Sequence, residues 1–220
     1  MDIDVFYHIW GSENLPHTTL LVYEQVKKII KSKLYKNSKL WCFVSGHHTT
    51  EICDFLRQFD FIHDVIYQTD PGEVVYEDFT LHHLRSHAIQ NPSHKFLYFH
   101  TKGSESNLLE MSSDTRMTNY HWRSVMEYVC IDEWKERAKE LQLYDTVGCR
   151  YGIGPEPHYS GNFWWANGEY LKTLPDIYDY HHKVGDRIKC EMWLCSNNPN
   201  FLSVHETIRE ITDFNNIYKI

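Results

Sequence analysis

Apolar runs of membrane-spanning length, basic clusters and paired-cysteine motifs are all missing from this sequence of 220 residues. Without such an apolar run, no segment is expected to cross a bilayer. The first ten residues, MDIDVFYHIW, enter a strand pattern directly and lack the basic region and apolar core of a signal peptide. We therefore expect a cytoplasmic protein, in the host cytoplasm if the source is a virus, or a soluble piece of a longer chain.

Positive charge is also scarce. The chain has 22 Lys and Arg against 30 Asp and Glu, for a formal net charge of -8, whereas a nucleic-acid-binding surface needs a basic face. The sequence thus argues against a nucleic-acid partner.

A zinc-dependent hydrolase is a poor interpretation too, because the 15 histidines show no HExxH or comparable spacing. The six cysteines form no CxxC pair, which is typical of buried thiols in a reducing compartment.

Apolar and aromatic residues are abundant. Hydrophobic residues make up 42% of the chain, and a chain of this length can bury one core, so we predict a single domain over residues 1–220. Seven Trp and 15 Tyr suit a sugar-binding cleft, because a flat ring can pack on a pyranose face while its polar edge forms hydrogen bonds. Most of these rings are nevertheless expected in the core.

Strand and helix patterns alternate along the chain, which predicts an α/β fold with a mainly parallel central sheet flanked by helices. The predicted strands are Ile3–Ile9, Lys39–Ser45, His63–Gln68, Phe96–Phe99, Tyr144–Tyr151 and a segment within His158–Ala166. The predicted helices are Thr18–Leu34, Thr49–Phe59 with Thr49 or Thr50 as N-cap, Tyr76–Gln90 and Tyr120–Leu141. A polar loop is predicted at Ser104–Thr118.

The segment KFLYFHTKG, Lys95–Gly103, indicates a ligand site. A buried strand runs into His100, Thr101 and Lys102, and ligands of open α/β sheets bind beyond the carboxyl ends of the strands. A cation and an imidazole at that point suggest an anionic ligand, with a phosphate as the first candidate. Ordinary solvated residues after a strand would give the same pattern.

A second informative segment is HYSGNFWWA, His158–Ala166. Glycine weakens a strand unless something must approach the backbone closely, and a ligand is one candidate for the group that approaches Gly161. Asn162 could then bind a hydroxyl, with Trp164 or Trp165 as a wall of the site. The alternative is a bulge at Gly161 and tryptophans that belong to the core.

Together, YFHTKG, HYSGNFWWA and DRIKCEMWL (Asp186–Leu194) resemble a group of small GT-A-type glycosyltransferases of bacteria and large DNA viruses, which includes the N-terminal glycosyltransferase domain of a chlorovirus capsid-glycan protein. The resemblance covers most of the chain in order. It implies a single-domain GT-A-like, Rossmann-like fold and transfer of a hexose or deoxyhexose from a nucleotide diphosphate sugar, UDP-linked in the first instance, to a glycan or glycoprotein acceptor.

The sequence departs from the GT-A pattern where most members have a metal-binding Asp-x-Asp, because that position reads His100-Thr101-Lys102. Mn²⁺ and Mg²⁺ prefer carboxylate oxygens. Lys102 could neutralise the diphosphate without a metal, which is the version we favour. Alternatively, His100 could bind Mn²⁺, with His205 as the further histidine that the resemblance implies near the C-terminus. Asp78 could supply an acidic ligand, although a helix N-cap is its simpler role.

Sugar transfer needs cations on the departing diphosphate and, for inversion, a carboxylate base near the acceptor hydroxyl. We predict Lys102 and Arg187 as the cations and Glu191, then Asp186, as the base. Arg187 and Glu191 could instead form a plain i,i+4 ion pair, and a retaining enzyme could dispense with the base.

The remaining predictions are weaker. The resemblance places Tyr7 and His8 at the nucleotide base, and Trp122 and Arg123 could face the acceptor. A different class of function also stays open, because a nucleotide-sugar or carbohydrate-binding module could keep this fold without catalysis.

Overall fold

The computed structural model describes residues 2–68, 77–104, 113–181 and 186–204, with the backbone alone for residues 113–118 and 186–187. The strands are β1 (Ile3–Gly11), β2 (Lys39–Gly46), β3 (Ile62–Tyr67), β4 (Lys95–His100), β5 (Thr146–Cys149), β6 (Tyr151–Gly152), β7 (His158–Tyr159), β8 (Trp164–Asn167) and β9 (Phe201–Val204). The α-helices are α1 (Leu15–Ser32), α2 (Thr49–Leu56), α3 (Asp78–Gln90), α4 (Ser113–Glu127), α5 (Trp134–Glu140), α6 (Gly168–Leu171) and α7 (Asp186–Trp193). A short 3-10 helix spans Leu34–Lys36, and a π-helical turn spans Tyr128–Asp132.

Seven strands form one sheet in the order β3-β2-β1-β4-β8-β5-β9. The pairs β1–β2, β1–β4, β2–β3 and β5–β9 are parallel, whereas β8 is antiparallel to both β4 and β5. The predicted α/β fold with a mainly parallel sheet is confirmed. Because β8 runs opposite to both of its neighbours, β4 and β5 point the same way and their carboxyl ends share one edge.

The two faces of the sheet bury different cores, as the alternation of side chains along a strand requires. On one face, Val5, Tyr7 and Ile9 of β1 pack with apolar residues of α1. On the other face, Phe6 packs with aromatic side chains of neighbouring strands and with leucines of α3. Each fully buried side chain of Leu or Phe size contributes about 1.5–3 kcal/mol, so these two layers hold the helices against the sheet.

Two helices depart from the sequence prediction. The helix predicted at Tyr120–Leu141 is instead α4, the π-helical turn and α5, and α4 begins at Ser113, inside the predicted polar loop. The wider π turn buries three consecutive residues, Val129–Ile131, against the sheet. The predicted N-caps of α2 are wrong as well, because Thr49 and Thr50 lie inside that helix and His48 precedes it with φ of 55°.

All six cysteines are buried and free of disulfides. Among the described helices, none is long and apolar enough to cross a membrane.

Candidate active site at the carboxyl ends of the strands

The carboxyl ends of β4 and β5 meet the turn between β7 and β8 at one edge of the sheet. His100 ends β4 and is followed by Thr101 and Lys102, and Arg150 follows β5. The turn contributes Gly161 and Asn162, both with positive φ, of 92° and 58°. Because the sheet fixes all three segments, side chains that project from them have a rigid support.

The imidazole of His100 is held in one orientation. Its Nε2 donates to the backbone oxygen of Gly161 over 2.9 Å, so Nε2 carries a proton. Its Nδ1 lies 3.9 Å from Oε1 of Glu77, and the ring packs edge-on against Phe163 and parallel to Tyr98. A metal bound at Nε2 would have to break the bond to Gly161.

Glu77 is a residue of this site that sequence reasoning missed. Its Oε2 accepts hydrogen bonds from the hydroxyl of Tyr98, over 2.6 Å, and from the side-chain nitrogen of Asn162. Two adjacent acidic residues at the start of α3 were a signal in the sequence, but the prediction named only the second of them, Asp78. Asp78 is 6% exposed and its Oδ1 lies 2.8 Å from the Lys189 ammonium, so it acts neither as an N-cap nor as an open metal ligand.

Gly161 joins these groups through its backbone. The N–H of Gly161 donates to Oε2 of Glu191 over 3.4 Å, so the carboxylate predicted as a base does lie at this edge. A Cβ at Gly161 would sit 2.5 Å from Sδ of Met126 and 3.3 Å from Nε1 of Trp122. The group that approaches this backbone closely is therefore α4, and not the ligand that the sequence suggested.

Replacing Gly161 with alanine is expected to lower the free energy of unfolding by about 2–4 kcal/mol, because the positive φ and the overlap with Met126 both add strain. Urea denaturation would measure the change. Gly103→Ala is the matched control: Gly103 has φ of 87°, but its Cβ would meet nothing closer than 4.0 Å. Equal losses in the two variants would contradict the packing contribution at Gly161.

Two cations converge on the indole of Trp122. The Lys102 ammonium lies 4.7 Å from the ring centroid, and the Arg150 guanidinium lies 4.5 Å from it. In the described part of the chain, neither cation has a carboxylate oxygen within 4.0 Å. All three side chains are partly exposed, so the edge presents two positive charges that a ligand can reach.

Arg150 was missed because the sequence placed it inside a predicted strand, Tyr144–Tyr151. In the structure β5 ends at Cys149, and Arg150 adopts φ of 57°, which turns the chain before β6 begins. Because the left-handed region is unfavourable for a residue with a Cβ, the surrounding structure must stabilise this conformation. The stacking on Trp122 is one such contact.

Arg123, which was predicted to face the acceptor, forms ion pairs with two glutamates instead. It is 8% exposed, lies 3.3 Å from both Glu24 and Glu127, and donates to the backbone oxygen of Lys102 over 3.4 Å. Burial raises the pKa of Glu127, while the positive charges of Arg123 and Lys28 oppose that shift. Arg123 therefore holds the Lys102 backbone in place and is not free to bind an acceptor.

Three aromatic residues predicted at the site lie in the two cores. Tyr7 stacks on Phe99 and donates its hydroxyl to Gln25. Trp164 stacks on Tyr98, and Trp165 donates its indole N–H to the backbone oxygen of Cys130. All three predicted residues have an exposed fraction of 0%, which does not fit contacts with a nucleotide base or a sugar.

The hydrogen-bonding groups of three further predicted residues are also engaged within the protein. The side chain of Asn162 donates to Glu77 and to the backbone oxygen of Cys190, and it accepts from Trp164. Thr101 accepts from the backbone N–H of Trp10, and Nδ1 of His8 lies 2.8 Å from the Thr80 hydroxyl. These hydrogen bonds support the strand ends.

His8 makes the stability of the fold sensitive to acid. Burial lowers the pKa of His8 from 6.5 to about 4, although the Glu77 carboxylate opposes this shift. The unfolded chain takes up a proton below pH 6.5, whereas the folded chain does so only near pH 4. The free energy of unfolding should therefore fall by about 3 kcal/mol between those values.

Urea denaturation across this pH range should show a weaker pH dependence for His8→Asn, in which the amide can keep the bond to Thr80. His47→Asn, at an exposed position, is the control and should follow the wild type. An unchanged pH dependence in His8→Asn would contradict a neutral, buried His8.

The other predicted residues are only partly described. Asp186 and Arg187 begin α7, but their side chains lie outside the described part of the structure, as does His205 altogether. Their predicted roles stay predictions. The described edge thus brings together Lys102, His100 and Glu191, as the sequence predicted, with Glu77 and Arg150, which it did not.

Comparison with known proteins finds a matching family and a similar solved structure. Residues 6–209 match the family described as "Domain of unknown function (DUF8361)". A crystal structure of a protein from Desulfovibrio desulfuricans G20, provisionally named a nucleotide-diphospho-sugar transferase, is similar over 92% of this chain and 79% of that one, with 10% identity and a TM-score of 0.48. None of the curated proteins matches. A similarity this remote carries no assignment of substrate or reaction.

Proposed function

This chain belongs to the family described as a domain of unknown function (DUF8361), and we propose that it is a GT-A-type glycosyltransferase. It transfers a hexose or deoxyhexose from a nucleotide diphosphate sugar, UDP-linked in the first instance, to a hydroxyl of a glycan or glycoprotein. One observation carries the proposal: two cations without a described carboxylate partner, Lys102 and Arg150, converge on Trp122 at the carboxyl ends of β4 and β5. The carboxylate of Glu191 contacts Gly161 at the same edge of the sheet.

The cations match the charge that this reaction develops. As the bond to the anomeric carbon breaks, negative charge accumulates on the departing nucleoside diphosphate. Lys102 supplies a compact ammonium and Arg150 a planar guanidinium that can hold two phosphate oxygens at once. Trp122 orients both cations through its ring, and Arg123 fixes the backbone of Lys102. The leaving group is therefore stabilised by groups that are already in place.

The triplet that replaces Asp-x-Asp offers no carboxylate to Mn²⁺ or Mg²⁺, ions that take mainly oxygen ligands and usually need carboxylates. His100 and Lys102 occupy the ends of the triplet that replaces Asp-x-Asp. The hydroxyl of Thr101 is bonded to Trp10, and Oε2 of Glu77 is bonded to Tyr98 and Asn162. We propose a metal-independent enzyme in which the two cations bind the diphosphate directly.

Glu191 is the proposed base of an inverting reaction. Its carboxylate is partly exposed and accepts one long hydrogen bond, from the N–H of Gly161, so lone pairs remain for an acceptor hydroxyl. In an inverting transfer it would take the proton of that hydroxyl as the oxygen attacks the anomeric carbon. A retaining transfer would not need it, and stereochemical analysis of the product distinguishes the two.

Calorimetric titration with UDP, UDP-glucose and other nucleotide sugars tests the donor site, first in EDTA and then with Mn²⁺. We expect binding in EDTA for the wild type and weaker binding in Lys102→Ala and Arg150→Ala. Binding that requires Mn²⁺ would overturn the metal-independent site and direct attention to His100 and His205. No binding under either condition would overturn the transferase proposal itself.

A binding module without catalysis is the second candidate, and the missing Asp-x-Asp favours it. Both candidates predict donor binding, but only the enzyme turns the donor over. Slow hydrolysis of the nucleotide sugar, measured as the release of UDP, therefore distinguishes the enzyme from the binding module. Binding without hydrolysis and without transfer to any glycan acceptor would favour the module.

A further inference from the structure

We propose that Asp4, His87 and His94 bind one zinc ion at the opposite end of β1 from the candidate active site. Asp4 lies near the start of β1, His87 in the last turn of α3, and His94 in the turn that precedes β4. One ligand atom from each residue lies within 4.8 Å of the other two. Two imidazoles and a carboxylate on three separate segments are a ligand set that zinc accepts.

The charge of this cluster points to a cation. The Asp4 side chain is 1% exposed, and its oxygens accept from His87 over 3.1 Å, from His94 over 2.7 Å and from the Trp41 indole over 3.0 Å. Within the described chain, no Lys or Arg approaches Asp4 to 4.0 Å. A buried carboxylate without a counter-charge is costly, so this position favours a bound cation.

The geometry needs little change to accept the ion. Zinc bonds of about 2.0–2.2 Å in a tetrahedron separate neighbouring ligand atoms by roughly 3.4 Å. The separations of 2.7 and 3.1 Å from Asp4 Oδ2 must therefore open by roughly 0.7 and 0.3 Å. Each imidazole must also present a lone pair instead of an N–H, which a neutral ring achieves by moving its proton to the other nitrogen. The side chains of His87 and His94 are 23% and 21% exposed, so solvent and ions can reach them.

The surrounding groups resemble the outer shell of a zinc site. Ligating carboxylates are usually hydrogen-bonded through their second oxygen, and Oδ1 of Asp4 accepts from Trp41. Ligating histidines usually donate their other N–H to a carboxylate, and Nε2 of His94 lies 4.0 Å from Oδ2 of Asp2. A bound ion would link β1 and α3 to the turn before β4. This position is at the amino ends of β1 and β4, whereas Lys102 lies beyond the carboxyl end of β4.

The test uses the full chain without a histidine tag, freed of metal with EDTA, and calorimetric titration with Zn²⁺. We expect one equivalent to bind, and His87→Gln and His94→Gln each to weaken binding by more than about 100-fold, beyond the losses that outer-shell changes cause. His83→Gln is the matched control. His83 lies one turn earlier on α3, and its ring packs on Phe43 and Phe79 outside the cluster.

The Trp41 indole gives a local readout that does not depend on activity. Its N–H resonance, identified with Trp41→Phe, should shift when one equivalent of Zn²⁺ is added to the wild type and to His83→Gln, but not when it is added to His94→Gln. Circular dichroism of each variant establishes that it is folded. An unmoved Trp41 resonance, or undiminished binding in both His87→Gln and His94→Gln, would show that zinc does not bind at this cluster and would overturn the proposal.

Discussion

Lys102→Ala should lose at least about 100-fold in kcat/KM for sugar transfer, and Arg150→Ala should lose a similar factor, because each removes one charge from the departing diphosphate. Loss of one preorganised electrostatic contact to a developing anion typically costs about 2.7–4 kcal/mol of transition-state stabilisation. Release of UDP from a nucleotide sugar measures the effect. The fold should stay intact, since both side chains are partly exposed and have no described carboxylate partner.

Lys135→Ala is the matched control, because the Lys135 ammonium also lies over a tryptophan, 5.7 Å from the Trp134 ring centroid, but on α5. It should keep the activity of the wild type. Near-normal turnover in both Lys102→Ala and Arg150→Ala would remove the diphosphate assignment. A loss of activity in Arg150→Ala alone would indicate that the departing diphosphate binds nearer to β5 than to β4.

Glu191→Gln should lower transfer by about 10²–10⁴-fold while donor binding stays close to that of the wild type, because the amide cannot take a proton from the acceptor hydroxyl. The glutamine oxygen can still accept from the N–H of Gly161, so the turn keeps its contact. Turnover with acceptor and calorimetric titration with UDP would together measure the two effects.

Glu77→Gln is the comparison for Glu191. The Glu77 carboxylate accepts from Tyr98 and Asn162 beneath His100, so its replacement should lower the free energy of unfolding and loosen donor binding. Glu191→Gln should do neither. Full transfer by Glu191→Gln would show that another group takes the proton of the acceptor hydroxyl, or that the reaction retains the configuration of the sugar.

The sequence by itself determined most of the elements and one part of the site. Short runs bounded by polar turns located strands β1 to β4 within one or two residues. For β1, β2 and β4 the reason is that a strand buried on both faces is apolar along most of its length. The alternation with helices was enough to predict a mainly parallel sheet. Local order along the chain also placed His100 and Lys102 at a strand end, because His100 ends β4 and Lys102 lies two residues beyond it.

Only the tertiary structure decided which side chains meet there. Glu77 and Arg150 are distant in sequence from Lys102. The strand order β4-β8-β5 and the path of α4 bring the carboxyl end of β5 and Trp122 to the same edge as the carboxyl end of β4. Burial likewise separated Tyr7, Trp164 and Trp165 from the site, because the face to which a strand residue points depends on what packs there. Residue type and spacing carry the local preferences of the chain, whereas contacts across the sheet depend on strand order and packing, which no single segment contains.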